Sequence, residues 1–592
     1  MSNRREKMET EWNLKMLYNS PDDPQIEIDV RTVEDKCDEF ASKYRHTIAY
    51  TLEENKLAEA LSAYEALAEF VYASKPLMYL YLMQTLDSAN ALLPARIAKI
   101  TNRLTKAHNE TLFFTLHLGK IPSEFKSRFL KSPKLKRHHY FLGRLFKSSE
   151  HHLSELEERI LNLKRMPANS MWVEGVERSV NKLLVLHRKK QIPLGEAGNL
   201  IADLPKKERR QLHGAILNEL VKVSEFAENE MNAILTDKKI NDELRKFNKS
   251  YSATVLDYEN DERTVETLVS VVSDRMKISH RFYKLKAEMM RERELTYADR
   301  AASIGKTAEK ISFDKALQLT EKAFYKAHPL FAQILLAFAR KGQMDVYPKK
   351  GKSGGAFCWS SLNVPTYVML NFVHTFDSVM TLAHEMGHAV HGELSKSQPI
   401  LYQGSSIATA EVASTFFEQV LFEDVFETLS AKDKIISLHN RIQDDVSTIF
   451  RQIACFNFEV ELHNEVRKKG SLDKDAMAAL LTKHMKSYLG PAVRVDQKDG
   501  YAFVQWGHIR RFFYVYSYAF GQITSKALFA EYRKDSSFIN EVKKFLEAGS
   551  SAQPETIFAS IGIDVTKPDF FKIGLQNIEK DIERLEKLIA KK

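Results

Sequence analysis

A spacing of apolar residues that persists through most of the 592 residues is the feature that most constrains this chain. Apolar side chains recur at intervals of three and four between charged ones, as in residues 208–235 and 313–340, which is the signal of amphipathic helices. Turn-forming Pro and Gly stand between such segments, for example at Pro193 and Gly195. The pattern predicts a mainly α protein.

The composition excludes several classes of protein. Hydrophobic residues make up 44% and charged residues 28%, which is ordinary for a globular chain and unlike a fibrous or disordered one. The three cysteines stand outside any CxxC pair, which favours a reducing compartment. The N-terminus lacks an apolar core like that of a signal peptide, and no apolar run reaches the length of a membrane helix. We therefore expect a cytoplasmic protein.

The net charge of +9 is small for this length, and the basic residues are interspersed with Asp and Glu. Nucleic-acid binding is therefore not the predicted role, although an RNA partner remains an alternative whose affinity would fall steeply with salt. The sequence leaves open whether the chain is a monomer or a homo-oligomer.

Residues 344–372 depart from the helical pattern. This segment has glycines at residues 351–355, many β-branched and aromatic residues, and prolines at 348 and 365, where strands would end. It predicts a small antiparallel sheet. An exposed strand edge can bind an extended peptide as an additional strand, while the alternative is a purely structural hairpin.

The strongest chemical signal is HEMGH at residues 384–388. On a helix that Asp377 can cap, His384 and His388 lie one turn apart and rotated by about 40°, so both imidazoles can bind one tetrahedral metal ion. Glu385 then lies beside the metal, where a carboxylate can take a proton from water. The neighbouring residues are almost all apolar, and buried ionisable groups are costly unless they are paired or bind metal. The sequence therefore favours a zinc site, and a pair of core histidines without a metal is the alternative.

Three further residues on this helix are weaker candidates. His391 lies about 10 Å along the axis from His384 and cannot join the same tetrahedron, so a supporting role around the site is its remaining interpretation. His391 and Leu394 occupy the positions where the longer HExxHxxGxxH pattern has its glycine and third histidine, which excludes that class. Glu393 is rotated by about 140° from His388 and is predicted to point away.

The next predicted helix, residues 407–426, supplies the candidates for the third ligand. Glu411, Ser414, Thr415 and Glu418 form a polar stripe at positions i, i+3, i+4 and i+7. Such a stripe alone is typical of a solvated face. Beside a metal-binding helix, Glu411 is the preferred ligand and Glu418 the alternative.

A second polar cluster follows much later in the chain. His508 precedes Tyr514, Tyr516 and Tyr518, each of which alone would be interpreted as aromatic core. A zinc hydrolase also needs hydrogen-bond donors for the developing oxyanion, which a phenol or an imidazolium can supply. His508 with one or two of these tyrosines is therefore the candidate group of donors.

Together these motifs resemble the thimet-oligopeptidase-like zinc metallopeptidases, and most of all the oligoendopeptidase F branch. The resemblance is carried by HEMGHAVH with Glu411 in AEVAST, by GGAFCW before the zinc helix, and by GHIRRFFYVYSYAFG after it. EWNLKMLY near the N-terminus and FLEAGSSAQPETIFASIGIDVTKPDFF near the C-terminus are similar too. The resemblance extends over residues 12–571.

The resemblance implies a mainly α, two-lobed zincin with a small sheet beside a deep central channel that admits short unstructured peptides. We expect a helical lobe at residues 1–190 and a catalytic region at 191–592. One zinc ion per chain would be bound by His384, His388 and Glu411, with Glu385 as general base and acid.

The resemblance also implies residues that bind the substrate. His508 would bind the substrate and its oxyanion, assisted by Tyr516 or, as the second choice, Tyr514. The strand around Gly355, Ala356 and Phe357 would hold the substrate backbone.

The predicted function is that of a zinc-dependent oligoendopeptidase that hydrolyses internal bonds of short peptides. Two alternatives remain. A related helical zinc carboxypeptidase or dipeptidyl carboxypeptidase would have the same ligand geometry, and it would be stopped by a blocked peptide C-terminus. A non-catalytic helical binding scaffold would contain no zinc.

Overall fold

A computed structural model describes residues 8–71, 74–88, 90, 92–307 and 310–591, and most of them are helical as predicted. The helices are α1 Pro24–Tyr44, α2 Glu54–Val71, α3 Lys75–Leu86, α4 Leu92–Gly119, α5 Ser123–Phe129, α6 His139–Ser149, α7 Glu155–Arg165, α8 Met171–Asn181, α9 Leu194–Leu200, α10 Lys206–Lys222, α11 Ser224–Leu244, α12 Ser252–Asp257, α13 Glu262–Asp274, α14 Lys277–Met289, α15 Phe313–Ala327, α16 Pro329–Lys341, α17 Phe376–Ser395, α18 Ile407–Phe426, α19 Ala431–Asp445, α20 Arg451–Lys469, α21 Lys474–Leu489, α22 Tyr516–Lys534, α23 Ile539–Ala548, α24 Pro554–Ser560 and α25 Pro568–Ala590. The strands are β1 Leu184–His187, β2 Lys190–Pro193, β3 Leu295–Thr296, β4 Met344–Asp345, β5 Phe357–Trp359, β6 Tyr367–Met369 and β7 Val493–Arg494.

Two segments with continuous helical periodicity are each divided into two helices. Residues 208–235 contain the junction of α10 and α11 at Val223, and residues 313–340 contain the junction of α15 and α16 at His328. His328 is extended because Pro329 follows it, and its side chain accepts a hydrogen bond from the backbone N–H of Leu330. Apolar spacing alone does not show such breaks.

The chain forms two compact units, each built from three separate stretches. The first comprises Met1–Glu150, Glu309–Phe426 and Glu531–Ile563, and the second comprises His151–Ala308, Glu427–Ala530 and Asp564–Lys592. The HEMGH motif lies in the first unit, and His508 with its tyrosines lies in the second. The predicted functional division at residue 190 stays a prediction. Among the described residues, no helix is both long and apolar enough to cross a membrane.

The predicted sheet is present in the first unit, and it is mixed. Its order is β4-β6-β5, with β5 antiparallel and β4 parallel to the central β6, because β5 reverses directly into β6 and leaves β4 on the far side. Residues near the N-terminus bind to β6. The Trp12 side chain donates a hydrogen bond to the Val368 carbonyl at 2.9 Å, and the Tyr367 hydroxyl donates to the Asn13 carbonyl at 3.0 Å. Because β6 is the central strand, β5 is an edge strand of this sheet.

Candidate active site

The helix α17 carries both histidines of the HEMGH motif. Its N-cap is Thr375, whose side chain accepts a hydrogen bond from the backbone N–H of Ser378, while Asp377, the predicted cap, lies in the first turn. His384 and His388 occupy one face, with ring centroids 4.9 Å apart. The predicted helix therefore presents two imidazoles to one point.

The helix α18 approaches α17 closely, and a glycine makes this possible. A β-carbon added to Gly387 would lie 2.7 Å from Cα of Ser414, a separation that real β-carbons essentially never adopt. Because the backbones are this close, Oε2 of Glu411 lies 3.6 Å from Nε2 of His384 and 3.8 Å from Nε2 of His388. Glu411, the preferred third ligand, thus faces both histidines.

Glu418 occupies a different position from Glu411. Its Oε1 lies 2.5 Å from Nδ1 of His384, the ring nitrogen that does not face Glu411. A carboxylate on the far nitrogen fixes the orientation of a ligating imidazole. Burial alone would lower the pKa of His384, but Glu418, with Glu385 and Glu411, raises it to about 9. Glu418 therefore contacts His384 from the side opposite Glu411 and is not part of the candidate group of three ligands.

Glu385 is buried, with 6% of its surface exposed. Burial raises its pKa to about 7, and nearby Glu411 and Glu418 add to this effect while His384 opposes it. A carboxyl group with such a pKa can both take and release a proton near neutral pH. Glu385 therefore remains the candidate general base and acid.

Glu393 and His391, two weaker candidates on α17, lie in different surroundings from His384 and His388. Glu393 accepts hydrogen bonds from the Thr366 hydroxyl at 2.7 Å and from Lys396 at 2.6 Å, so it faces away from the histidines. His391 is buried against Phe545, and burial lowers its pKa to about 4. Its Nε2 atom has no hydrogen-bond partner among the described residues.

A cavity of about 580 Å³ adjoins these groups within the first unit. Its lining includes both histidines, Glu385 and Glu411, together with Phe357, the first residue of β5, and Ala356 just before it. Gly355 lies two residues before β5 with a positive φ of 80°, and its carbonyl accepts a hydrogen bond from Asn371. The edge strand and the candidate metal ligands therefore share one cavity.

The donor set fits a metal ion. One ligand atom each from His384, His388 and Glu411 lie within 4.8 Å of one another, and no other such group of three occurs among the described residues. In a tetrahedral zinc site with bonds of about 2.1 Å, ligand atoms are about 3.4 Å apart. Two imidazoles and one carboxylate also leave a fourth position open, which is typical of catalytic sites.

In the second unit, a cavity of about 900 Å³ is lined by His508, Tyr514 and Tyr518. The rings of His508 and Tyr514 are stacked with centroids 5.4 Å apart, and the hydroxyls of Tyr514 and Tyr518 are 3.1 Å apart. Burial, with Arg451 and Arg511 nearby, lowers the pKa of His508. A neutral imidazole and two phenols therefore meet in this cavity.

Tyr516, the tyrosine that the sequence favours, lies elsewhere. It is fully buried, and its hydroxyl donates a hydrogen bond to the Asn260 side chain at 2.9 Å. The reason is that α22 begins at Tyr516, after a turn in which Phe512 and Phe513 have positive φ. This turn directs Tyr514 into the cavity and Tyr516 into the core.

Sequence reasoning identifies only part of the second cavity. Tyr518 is one of the three tyrosines of the polar cluster, although the resemblance favours Tyr516 and Tyr514 over it. Arg300 and Arg451 also line the cavity, but they come from distant segments without a motif. Only the fold brings them to His508.

Comparisons with known proteins match nearly the whole chain. The model of peptidase family M3 matches residues 205–577, and a model described as oligopeptidase F matches residues 118–174. Oligopeptidase PepF of Bacillus subtilis is 24% identical over 99% of this chain and 88% of its own length. An oligoendopeptidase F homolog of Borreliella burgdorferi is 25% identical over 98% of this chain and all of its own length.

A solved structure shows the same fold. The crystal structure of oligoendopeptidase-F from Enterococcus faecium has a TM-score of 0.72 and 18% identity, and covers 96% of this chain and 99% of the other. The predicted helical fold and the predicted enzyme class, a metalloendopeptidase, are confirmed. With the family model covering more than half of its residues, the chain belongs to peptidase family M3.

Proposed function

We propose that the chain is a zinc-dependent oligoendopeptidase in which His384, His388 and Glu411 bind one zinc ion. The observation that carries this proposal is the convergence of these three ligand atoms within 4.8 Å beside the buried Glu385. Family membership establishes a peptidase and implies a metal. The identity of the metal, the residue roles and the restriction to short peptides are the proposal.

The roles follow from the positions of the side chains. When bound, zinc would polarise the scissile carbonyl and lower the pKa of water. Glu385 accepts the proton of the attacking water and passes it to the leaving amine, as its pKa near neutrality permits. Glu418 holds the His384 ring so that Nε2 faces the ligand set. The cavity beside the ligands accommodates the reacting bond.

The substrate backbone is assigned to the edge of β5. Ala356 and Phe357 line the cavity with the ligands, and an extended peptide can pair with an unpaired strand edge. Gly355 contributes its backbone conformation before this strand. His508 and Tyr514 are assigned as donors to the substrate and its oxyanion. Tyr518 replaces Tyr516 in this role because the Tyr516 hydroxyl is bonded to Asn260 in the core.

A pair of substitutions tests the site. Glu385→Gln keeps the ligands and removes the base, so it should retain one equivalent of metal and lose nearly all turnover. His384→Ala should lose both the metal and the turnover. Glu53→Gln, at an exposed ion pair with Lys56, is the matched control and should behave as the wild type. Native turnover by Glu385→Gln, or full metal retention by His384→Ala, would contradict the assignment.

The metal and the bond preference need separate measurements. Elemental analysis of the purified protein should find one zinc per chain, and a chelator should abolish activity that zinc restores. An endopeptidase should cleave a peptide with blocked termini at an internal bond. A carboxypeptidase would instead require a free C-terminus, so product masses from the two peptides separate the alternatives. Family membership in a peptidase group disfavours the scaffold alternative.

We also propose a cytoplasmic location and no nucleic-acid partner. The described cysteines Cys37, Cys358 and Cys455 are all free, which is consistent with a reducing compartment. Cell fractionation would test the location, and a salt-dependent RNA-binding assay would test the partner.

A further inference from the structure

The cavity of the second unit carries more positive charge than the proposed hydrolysis requires. Four arginines line it: Arg300, Arg451, Arg510 and Arg511. The carboxylates in the lining are Glu174 and Glu177. Because charge pairing decides what remains available to a ligand, each arginine has to be considered with its partners.

Only one of the four arginines is neutralised by a carboxylate. Arg510 forms a two-pronged ion pair with the buried Glu230, with N–O distances of 2.7 and 2.6 Å. In the lining, Glu174 pairs with Arg178 at 3.1 Å, outside the cavity. Glu177 therefore remains as the one lining carboxylate without an ion pair among the described residues.

The other three arginines form no ion pair with any described carboxylate. Arg300 lies over the Tyr297 ring at 4.0 Å and donates one hydrogen bond to the Tyr297 carbonyl. Arg451 lies 5.8 Å from the Trp506 ring, and its buried Nε has no hydrogen-bond partner among the described residues. Arg511 is exposed beside Tyr514.

Each of these three arginines lies against an aromatic ring. Apart from the hydrogen bond of Arg300 to the Tyr297 carbonyl, their guanidinium N–H groups can donate to a ligand. A guanidinium donates two parallel hydrogen bonds to a carboxylate, and such charged hydrogen bonds are among the strongest in proteins. A buried donor without a partner is costly unless a ligand supplies the acceptor. Three arginines without an ion pair outweigh the single carboxylate of Glu177, so the cavity beside His508 has a net positive charge.

We propose that this cavity is an anionic subsite, in which Arg451 and Arg300 bind a carboxylate of the peptide substrate. The inference rests on the proposed peptidase function, because a peptide offers carboxylates at its C-terminus and on Asp and Glu side chains. Arg511 at the exposed rim adds long-range attraction. The site thus selects peptides by a charge that is not part of the bond that is cleaved.

Four versions of one fluorogenic peptide separate the two sources of the carboxylate. The C-terminus is either a free acid or an amide, and one residue on the C-terminal side of the scissile bond is either Glu or Gln. For wild-type protein, a carboxylate at the preferred place should lower KM about tenfold relative to the amide and Gln peptide, as expected for a charged hydrogen bond. A gain with the free acid alone identifies the C-terminus, and a gain with Glu alone identifies a side chain.

Arg451→Gln and Arg300→Gln should remove this gain, so that each variant hydrolyses all four peptides with nearly the same KM, since the fork of charged donors is lost. Arg451→Lys should restore only part of it. The matched control is Arg293→Gln, at an exposed arginine outside the cavity lining. An equal KM for all four peptides in wild type, or equal losses on all four in both variants, would overturn the proposal.

Binding to Glu385→Gln protein keeps the two proposals distinct. The four peptides should bind this variant with the same order of affinity, and Arg451→Gln in that background should abolish the order. If wild-type protein cleaved none of the four peptides but still bound them in this order of affinity, the hydrolytic function alone would be refuted. If the four peptides bound Glu385→Gln with equal affinity while wild-type protein cleaved them, the subsite alone would be refuted.

Discussion

Oε2 of Glu459 accepts a hydrogen bond from the backbone N–H of Phe513 at 2.6 Å, at a point where the chain is strained. Phe512 and Phe513 have φ values of 44° and 63°, and left-handed conformations cost non-glycine residues about 1–2 kcal/mol each. The Phe512 carbonyl also accepts a hydrogen bond from the Thr254 hydroxyl at 2.9 Å. These bonds stabilise the turn that directs Tyr514 into the second cavity.

Glu459→Ala should therefore lower activity through Tyr514 without touching substrate. The Phe513 N–H would be left buried without a partner, which costs roughly 1–3 kcal/mol and favours relaxation of the turn. We expect kcat to fall about tenfold while metal content is unchanged. Glu459→Gln keeps an acceptor and should remain close to wild type. Equal losses in the two variants would show that the hydrogen bond does not position the turn.

The same carboxyl group should give the stability of the protein a specific pH dependence. Burial raises the pKa of Glu459 to about 8, from 4.5 for an exposed glutamate. Between these values the unfolded chain releases a proton that the folded chain keeps, so this contribution to stability is complete below pH 4.5 and falls as pH rises towards 8. The total is roughly 5 kcal/mol, since one pKa unit corresponds to about 1.4 kcal/mol.

Urea unfolding at pH 5, 6.5 and 8 measures this effect. Relative to Glu459→Gln, which does not titrate, the wild type should lose stability steadily over the series. Parallel midpoints for the two proteins across this range would contradict the buried, protonated state of Glu459.

Gly387→Ala should separate α17 from α18 and disturb the metal ligands. The new methyl group would meet the Ser414 backbone at 2.7 Å, and overpacking of this kind typically costs about 1–3 kcal/mol. Metal affinity and melting temperature should both fall. Gly214→Ala in α10 is the matched control, because nothing lies within 4 Å of its added β-carbon, and alanine should stabilise that helix slightly. A metal affinity unchanged by Gly387→Ala would argue against the close approach.

Glu418→Gln should weaken metal binding without removing a ligand. Glutamine cannot hold Nδ1 of His384 with the same charge, and loss of such an orienting carboxylate typically lowers metal affinity about 10- to 100-fold. Competition with a chelator of known affinity measures the change. Glu411→Gln should be more severe in the same assay. The reverse order would exchange the assigned roles of the two glutamates.

Single hydroxyl deletions should distinguish the three tyrosines. Tyr514→Phe and Tyr518→Phe should lower kcat, since both phenols line the cavity with His508. Tyr516→Phe should leave kcat unchanged and lower the melting temperature, because it removes a buried hydrogen bond to Asn260. Steady-state kinetics and thermal unfolding of the three variants, run in parallel, provide the comparison. A fall of kcat only in Tyr516→Phe would restore the assignment that the sequence favours.

The sequence by itself determined the helical class, the small sheet and the helix that presents His384 and His388. These follow from local spacing, because residues four apart on a helix share a face whatever surrounds them. It also singled out Glu411 and Glu418 as the candidates for the third ligand. Helical periodicity could not separate them, since residues seven apart lie on the same face.

Tertiary structure made the choices that depend on contacts between distant segments. The approach of α18 at Gly387 brings Glu411 to the Nε2 atoms and Glu418 to Nδ1 of His384. The left-handed turn at Phe512 and Phe513 breaks the local pattern, so that Tyr514 and Tyr518 line the cavity with His508 while Tyr516 lies in the core. The arginines of the second cavity come from separate segments and share no spacing. Such sites exist only through packing, because no short stretch of chain contains the groups that meet there.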